Sequence, residues 1–219
     1  MPHVGERLRK VKEFRLLSER KSTIAIANYP EKYNVEVVPT TPFLVLPEVS
    51  SERRTYLPIG WLLPPTIPSN KLRIMLNSRL WHFAILTSAM HMAWTRNVGG
   101  RLKSDFQYGI GVVYNTFPWP NASPREITMV ETLAQTILDE RSKYSASTLA
   151  DLYDPDNIKP DLLKAHKKLD AAVDELYKKG GFNSERSRAE HLLGVYEQAS
   201  QPLTSQNVAN RTKRRKNLG

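Results

Sequence analysis

At 219 residues the chain is long enough to bury a core as one domain or two small ones, and its 40% hydrophobic and 25% charged residues exclude wholesale disorder. It has no cysteine, which excludes a disulfide framework and thiolate chemistry. It also has no apolar run near the roughly 20 residues of a membrane helix and no secretory-type start, so a cytoplasmic setting without membrane contact is expected. The net charge of +10 is uneven: +8 over residues 1–120, −3 over 121–205 and +5 over 206–219. A basic front half beside a slightly acidic part is the pattern of a polyanion-binding domain beside a scaffold.

Residues 4–20 space Val4, Leu8, Val11 and Phe14 three and four apart, which predicts a charged linker helix. Between 24 and 76 the pattern changes to short apolar or β-branched runs: TIAIA, VEVV, FLVL, TYLPIGWL and KLRIML. Pro30, Pro39, Pro42, Pro47, Pro58, Pro64, Pro65 and Pro68 punctuate them. Prolines this dense forbid long helices and confine strands to short edges, which predicts a small irregular β-rich module. Residues 79–97 are the most apolar segment and predict one buried helix, ended by Gly99 and Gly100. GGRLKSDFQYG (99–109) then reads as a half-buried strand with Arg101, Lys103 and Asp105 on its polar face, and IGVVYNTFPWP (110–120) as a strand stopped by Pro118 and Pro120.

Ser123, Pro124 and Glu126 spell a capping box with proline at the first helical position. Ile127, Val130, Leu133, Ala134, Ile137 and Leu138 give the helix that follows one apolar face. Thr148 and Asp151 predict a shorter turn of helix. Pro160 opens a helix carrying Leu162, Leu169, Val173 and Leu176, closed by Gly180 and Gly181, and 184–199 form a last helix with Leu192, Leu193 and Tyr196. The expected fold is α+β. A small irregular β-rich domain with one buried helix occupies 1–120, and a helical bundle occupies 121–203. A disordered basic tail follows over 204–219.

Catalytic chemistry finds no foothold in these residue types. His3, His82, His91, His166 and His191 have no second histidine at metal-ligand spacing. Asp154 and Asp156 in DPDNIK resemble the start of a calcium loop, but its glycine and closing glutamate are missing, so a surface turn is expected. No dinucleotide-binding or P-loop glycine pattern occurs. Glu19-Arg20-Lys21 is an acid-x-Lys triplet without the upstream Pro-Asp of a nuclease site.

Binding is the better reading. Arg53 and Arg54 follow Ser50-Ser51 in a loop, Lys71 and Arg73 alternate along a strand, and Arg79, Arg96 and Arg101 flank the apolar segment. Such residues reach phosphates, which position a protein without reading sequence. Lys103 and Asp105, two apart on an extended backbone, face the same way. A lysine donates to guanine O6 and N7 and an aspartate accepts from cytosine N4, so the pair complements a G·C pair; an ion pair within the protein accounts for the same spacing.

Residues 83–120, FAILTSAMHMAWTRNVGGRLKSDFQYGIGVVYNTFPWP, closely resemble the target-recognition domain of MmeI-type (type IIL) restriction–modification enzymes and related adenine-specific DNA methyltransferases. VSSERRTYLPIGWL (49–62), TLADLYDPDNIKPDLLKAHKKLDAAVDELY (148–177) and FNSERSRAEHLLGVYE (182–197) extend the resemblance, which runs over about residues 6–203. It implies that 1–120 is a DNA target-recognition domain whose partners are double-stranded DNA and an upstream methyltransferase domain of the same polypeptide. The catalytic Asn-Pro-Pro-aromatic motif and the cofactor-binding glycine motif of such enzymes are missing, and ANYP (27–30) is no substitute. This chain is therefore expected to be a non-catalytic fragment without cofactor, S-adenosylmethionine belonging to the parent's methyltransferase domain.

The resemblance also implies base readers. In the family a pair two residues apart, just after the GGRL-like turn, exchanges acid and base as the recognised base pair changes, and Lys103 and Asp105 stand there, with guanine the expected reading. A second family pair falls on Glu48 and Asn70, and Glu48 could accept from cytosine N4. Arg53, Arg54 and Arg101 are expected on phosphates. The alternative function is a helical protein-interaction adaptor with non-specific DNA binding in front.

Overall fold

The structure, a computed structural model, describes the backbone of residues 2–33 and 38–216 and the side chains of residues 3–33 and 38–201. The chain divides into two compact units, Met1–Thr40 with Pro64–Ile67, and Thr41–Leu63 with Pro68–Gly219. In the first, α1 (Pro2–Leu16) is the helix expected from the spacing of Val4 to Phe14. TIAIA is not a strand: most of it lies in the short helix α2 (Lys21–Ala25) and the turns after it. Arg15 organises those turns, donating to the carbonyls of Ile26 (3.3 Å), Tyr29 (2.8 Å) and Lys32 (2.6 Å). Residues 34–37, most of VEVV, lie outside the described residues.

The second unit opens with β1 (Phe43–Pro47), whose residues Phe43 to Leu46 are all buried. A continuous apolar run of this length is what a strand covered on both faces requires. It is the centre of a three-stranded antiparallel sheet between β3 (Gly60–Leu62) and β4 (Leu72–Met75). The chain leaves this sheet at Glu48 and enters a second one at β2 (Val49–Ser50). Glu48 serves both sheets: its N–H donates to Lys71 O (3.0 Å) and its carbonyl accepts from Tyr108 N (2.8 Å).

The apolar segment 79–97 forms two helices rather than the one expected, α3 (Leu80–Leu86) and α4 (Ala89–Val98). Ser88 causes the break. Its hydroxyl caps α4 by accepting from His91 N (3.4 Å), and it closes α3 by donating to Ile85 O (2.7 Å). β5 (Gly100–Leu102) and β6 (Asp105–Gln107) then form a hairpin, with order β2-β6-β5 in the second sheet. The single strand expected over 99–109 is therefore folded back on itself. Residues 110–117 are not a strand either. Ile110–Tyr114 form a π-helical turn closed by Asn115 N donating to Ile110 O (2.9 Å), and the Trp94 indole N–H donates to Val113 O (3.1 Å). The β-branched residues gave a strand-like pattern, but the tryptophan takes a carbonyl that a sheet neighbour would need.

The helical part follows its local signals. α5 (Pro124–Ser142) begins at the expected capping box, with Glu126 N donating to Ser123 Oγ (3.4 Å) and Ser123 N to Glu126 Oε2 (2.7 Å). α6 (Leu149–Leu152) repeats the device with Thr148 and Asp151. α7 (Pro160–Tyr177) packs against α5, and α8 (Glu185–Lys216) against α4. The helix α8 includes 204–216, part of the stretch expected as a disordered basic tail over 204–219. Gln, Ala, Arg and Lys are good helix formers even without apolar periodicity; residues 217–219 lie outside the described ones.

One core runs through this unit. Leu44, Leu57 and Ile59 from the β-rich part, Phe83, Met90 and Trp94 from α3 and α4, and Val130, Ile137, Leu162, Leu169 and Leu192 from the later helices are buried in a single cluster. Polar ties cross it. Arg141, nearly buried on α5, donates to Ile59 O (2.7 Å) and to the Tyr153 hydroxyl, while Asp170 on α7 accepts from Tyr56 Oη and from Ala89 N, the first residue of α4.

Candidate nucleic-acid interface

The two residues between β5 and β6, Lys103 and Ser104, make a two-residue hairpin turn, with Leu102 opposite Asp105, Arg101 opposite Phe106 and Gly100 opposite Gln107. Lys103 has φ of 59°, the left-handed conformation that two-residue hairpins use and that glycine and asparagine adopt most easily. Lys103 and Asp105 are thus not neighbours along one extended strand. The lysine stands at the turn and the aspartate begins the returning strand. Lys103 is exposed and has no ion-pair or hydrogen-bonding side-chain partner among the described residues, so the ion pair with Asp105 considered above does not form. Asp105, half-buried, accepts from Glu52 N at 3.3 Å. Gln107, two residues on, shares its outward face and is exposed. Period two along β6 would have found it had the strand been placed correctly.

The second expected pair lies on neighbouring chain segments, since Glu48 N donates to the carbonyl of Lys71, the residue after Asn70. Glu48, at the crossing between the two sheets, accepts from Arg73 Nη2 at 3.0 Å and is half-buried. Asn70 is exposed in the turn before β4, where its Oδ1 accepts from Ser69 Oγ at 3.4 Å. Arg73, named in the sequence only as a basic residue on a strand, is the partner that fixes Glu48. Lys71 is exposed beside Asn70.

The three arginines expected on phosphates all have partners within the chain. Arg53 Nη2 donates to both carboxylate oxygens of Asp156, at 2.9 and 2.7 Å. Arg54 donates to Ala150 O at 3.4 Å. Arg101 lies over the Phe106 ring, 4.1 Å from its centroid, and donates to Arg96 O at 3.2 Å. Arg96 covers the same ring from 5.7 Å, donates to Arg54 O at 2.9 Å, and forms an ion pair with Glu185 on α8. Arg79 pairs with Glu131 at 3.2 Å. The Asp154–Asp156 turn is the surface turn expected, and its exposed carboxylate faces an arginine.

His91 and His166 are buried packing residues, and His82 serves at a helix start. His91 Nε2 sits 2.9 Å from the Tyr108 hydroxyl, and burial pushes its pKa down to about 3. His166 stacks on Tyr56 with ring centroids 4.1 Å apart and shares a hydrogen bond with Tyr153 Oη at 2.6 Å; burial, with Arg141 adding to it, holds it well below its ordinary value. His82 accepts from Arg79 N at 2.9 Å at the start of α3. Among the described residues no cluster of three acids or histidines could hold a metal ion, and no helix is long and apolar enough to cross a membrane.

Residues 1–121 match the family model of the MmeI target recognition domain, and residues 122–204 match that of the MmeI C-terminal domain. The chain belongs to the MmeI family. It holds that family's target-recognition and C-terminal domains. It is 38% identical over 200 residues to DNA methyltransferase A of Bacillus subtilis (strain 168), covering 91% of this chain and 23% of that protein. It also superposes on the type IIL restriction–modification enzyme MmeI, solved in complex with DNA, with a TM-score of 0.85 and 42% identity over 90% of this chain and 26% of the other. The chain spans about a quarter of the length of each.

Proposed function

We propose that this MmeI-family chain is the sequence-specific double-stranded DNA recognition module of an S-adenosylmethionine-dependent adenine-N6 methyltransferase of the type IIL restriction–modification class. Residues 1–120 read the DNA and 121–203 brace the reader; an upstream methyltransferase domain of the same polypeptide is the partner. The observation that carries the reading is the β5–β6 turn. An exposed lysine without a side-chain partner among the described residues occupies a left-handed position where glycine or asparagine would be the relaxed choice, two residues before an aspartate at the start of the returning strand. A turn that keeps a strained lysine keeps it for its amine.

In this reading Lys103 donates to guanine O6 and N7 in the major groove, and Asp105 accepts from the N4 amine of the paired cytosine. Glu48 and Asn70 read a second base pair, with Arg73 holding the Glu48 carboxylate. Phosphate contact by Arg53, Arg54 and Arg101 belongs to the same reading and requires each to share its present partner. The shared core favours a brace over a free-standing adaptor, because α5 and α7 bury their apolar faces against the β-rich part.

S-adenosylmethionine has no fitting site on this chain. The glycine turn between a parallel strand and a helix that cradles such cofactors is missing, since every strand pair among the described residues is antiparallel. Methyl transfer is therefore assigned outside these residues. The test exchanges Lys103→Glu together with Asp105→Arg in the longer protein and maps methylated sites by sequencing. A change from G to C at one position of the motif supports the reading, and an unchanged motif overturns it.

A further inference from the structure

Asp105 is held from behind by a loop that is itself held by the helical part. Its Oδ1 accepts from the amide of Glu52. Residues 51–54 form a tight turn, with Arg54 N donating to Ser51 O (3.1 Å) and Arg53 N to Ser51 Oγ (3.4 Å). Both arginines of that turn reach across to the helical part: Arg53 to both oxygens of the Asp156 carboxylate, in the turn between α6 and α7, and Arg54 to the carbonyl of Ala150 within α6. Asp156 is fixed in turn, its N–H donating to Asp154 Oδ1 at 2.9 Å. A second tie runs from Glu185 on α8 through Arg96, which grips the carbonyl of Arg54 and lies over Phe106, the residue after Asp105.

We infer that Asp156 and Glu185, which lie in the helical part, are positioning residues for the base-reading hairpin, setting the orientation of the Asp105 carboxylate through the 51–54 turn and Arg96. The inference rests on the reading of Asp105 as a base contact. Exposed ion pairs add little to stability, and the Arg53–Asp156 pair is exposed on both sides, with 62% and 66% of the side chains accessible. Its value therefore lies in geometry: Arg53 Nη2 meets both carboxylate oxygens and holds the 51–54 turn at a fixed distance from the turn that carries Asp156. The DPDN turn, which has no role as a calcium loop, is the anchor of that grip.

Charge makes the role separable from a simple contribution to folding. Removing an acid beside a polyanion site does not weaken non-specific binding and raises it slightly. Loosening the hairpin weakens discrimination at one base pair only. The experiment selects duplexes from a random library with the whole 219-residue chain, as wild type, D156N, D156E, E185Q and D105A. Affinity for a fixed non-specific duplex and melting temperature are measured alongside.

D156N is expected to lose about five- to tenfold of the preference at the base pair that D105A also loses, with other positions and melting temperature retained and non-specific affinity equal to or slightly above that of the wild type. E185Q is expected to act at the same base pair, and D156E, which keeps a carboxylate for Arg53, to retain more of the preference than D156N. Faster hydrogen exchange at the Glu52 amide in D156N is the matching spectroscopic sign. If D105A relaxes a base pair that D156N leaves intact, the inference is overturned. It is also overturned if D156N raises affinity for every duplex without changing preference, because Asp156 is then only a competitor for Arg53. If D105A changes nothing, or the wild type enriches no motif, the reading of Asp105 fails and the inference with it.

Discussion

Tyr56 donates its hydroxyl to Asp170 Oδ2 at 2.6 Å, joining a loop of the recognition part to the middle of α7. The other carboxylate oxygen accepts from Ala89 N at 2.7 Å, at the start of α4. Two parts that differ in secondary structure and in net charge are thus tied at one buried carboxylate. That one carboxylate joins α7 both to the Tyr56 loop and to the start of α4.

Asp170 has a measurable signature. Burial raises its pKa to about 6, against the hydrogen bonds from Tyr56 and Ala89, which lower it. A folded-state value above the unfolded one means a contribution that is fully present below about pH 4 and lost as pH rises through about 6. Asp170→Asn keeps both contacts, its carbonyl oxygen accepting from Ala89 N and its amide donating to a reoriented Tyr56 hydroxyl. Urea titrations at pH 4.5, 6 and 7.5 are expected to show the stability of wild type relative to D170N rising on acidification, by up to about 1.4 kcal/mol per pH unit. A constant difference across that range would contradict the assignment.

His91 gives the opposite sign in an overlapping window. Burial lowers its folded pKa to about 3, so its stabilising contribution is complete above the unfolded value near 6.5 and is lost as pH falls. His91→Gln retains a partner for Tyr108 and removes the titration. Between pH 6.5 and 5 the wild type is expected to lose up to about 1.4 kcal/mol per pH unit relative to H91Q, again by denaturant titration. Measured together with D170N, the two variants separate contributions that partly cancel in the wild type.

Lys103 holds a backbone conformation that a different residue would adopt at lower cost. Lys103→Asn places at φ of 59° a residue that tolerates the left-handed conformation. The variant is expected to gain about 0.5–1 kcal/mol, read as a higher melting temperature, while losing preference for a G·C pair in a duplex selection. A variant that is more stable and equally selective would remove the lysine from the reading mechanism.

Legibility followed locality. The capping boxes at Ser123–Glu126 and Thr148–Asp151 were readable because every partner lies within four residues. FLVL was readable as a strand because a fully covered strand needs four apolar residues in a row. The β5–β6 turn was not readable, since Lys103-Ser104 carries none of the Asn-Gly or Asp-Gly chemistry of such turns and the alternation across it imitated one strand. Ser88 was a capping signal hidden in an apolar run. The Arg53–Asp156 pair joins residues 103 apart, and neither local string points to the other.

The continuous core has a practical corollary for anyone building chimeras within this family. The border near residue 121 is a seam in the sequence but not in the packing, because Ile137, Leu162 and Leu192 meet Leu57, Phe83 and Trp94 in one cluster. Splicing two relatives there would mate unmatched half-cores. Point changes at the exposed Lys103 and Ser104 of the β5–β6 turn touch none of that interior and leave the shared core intact.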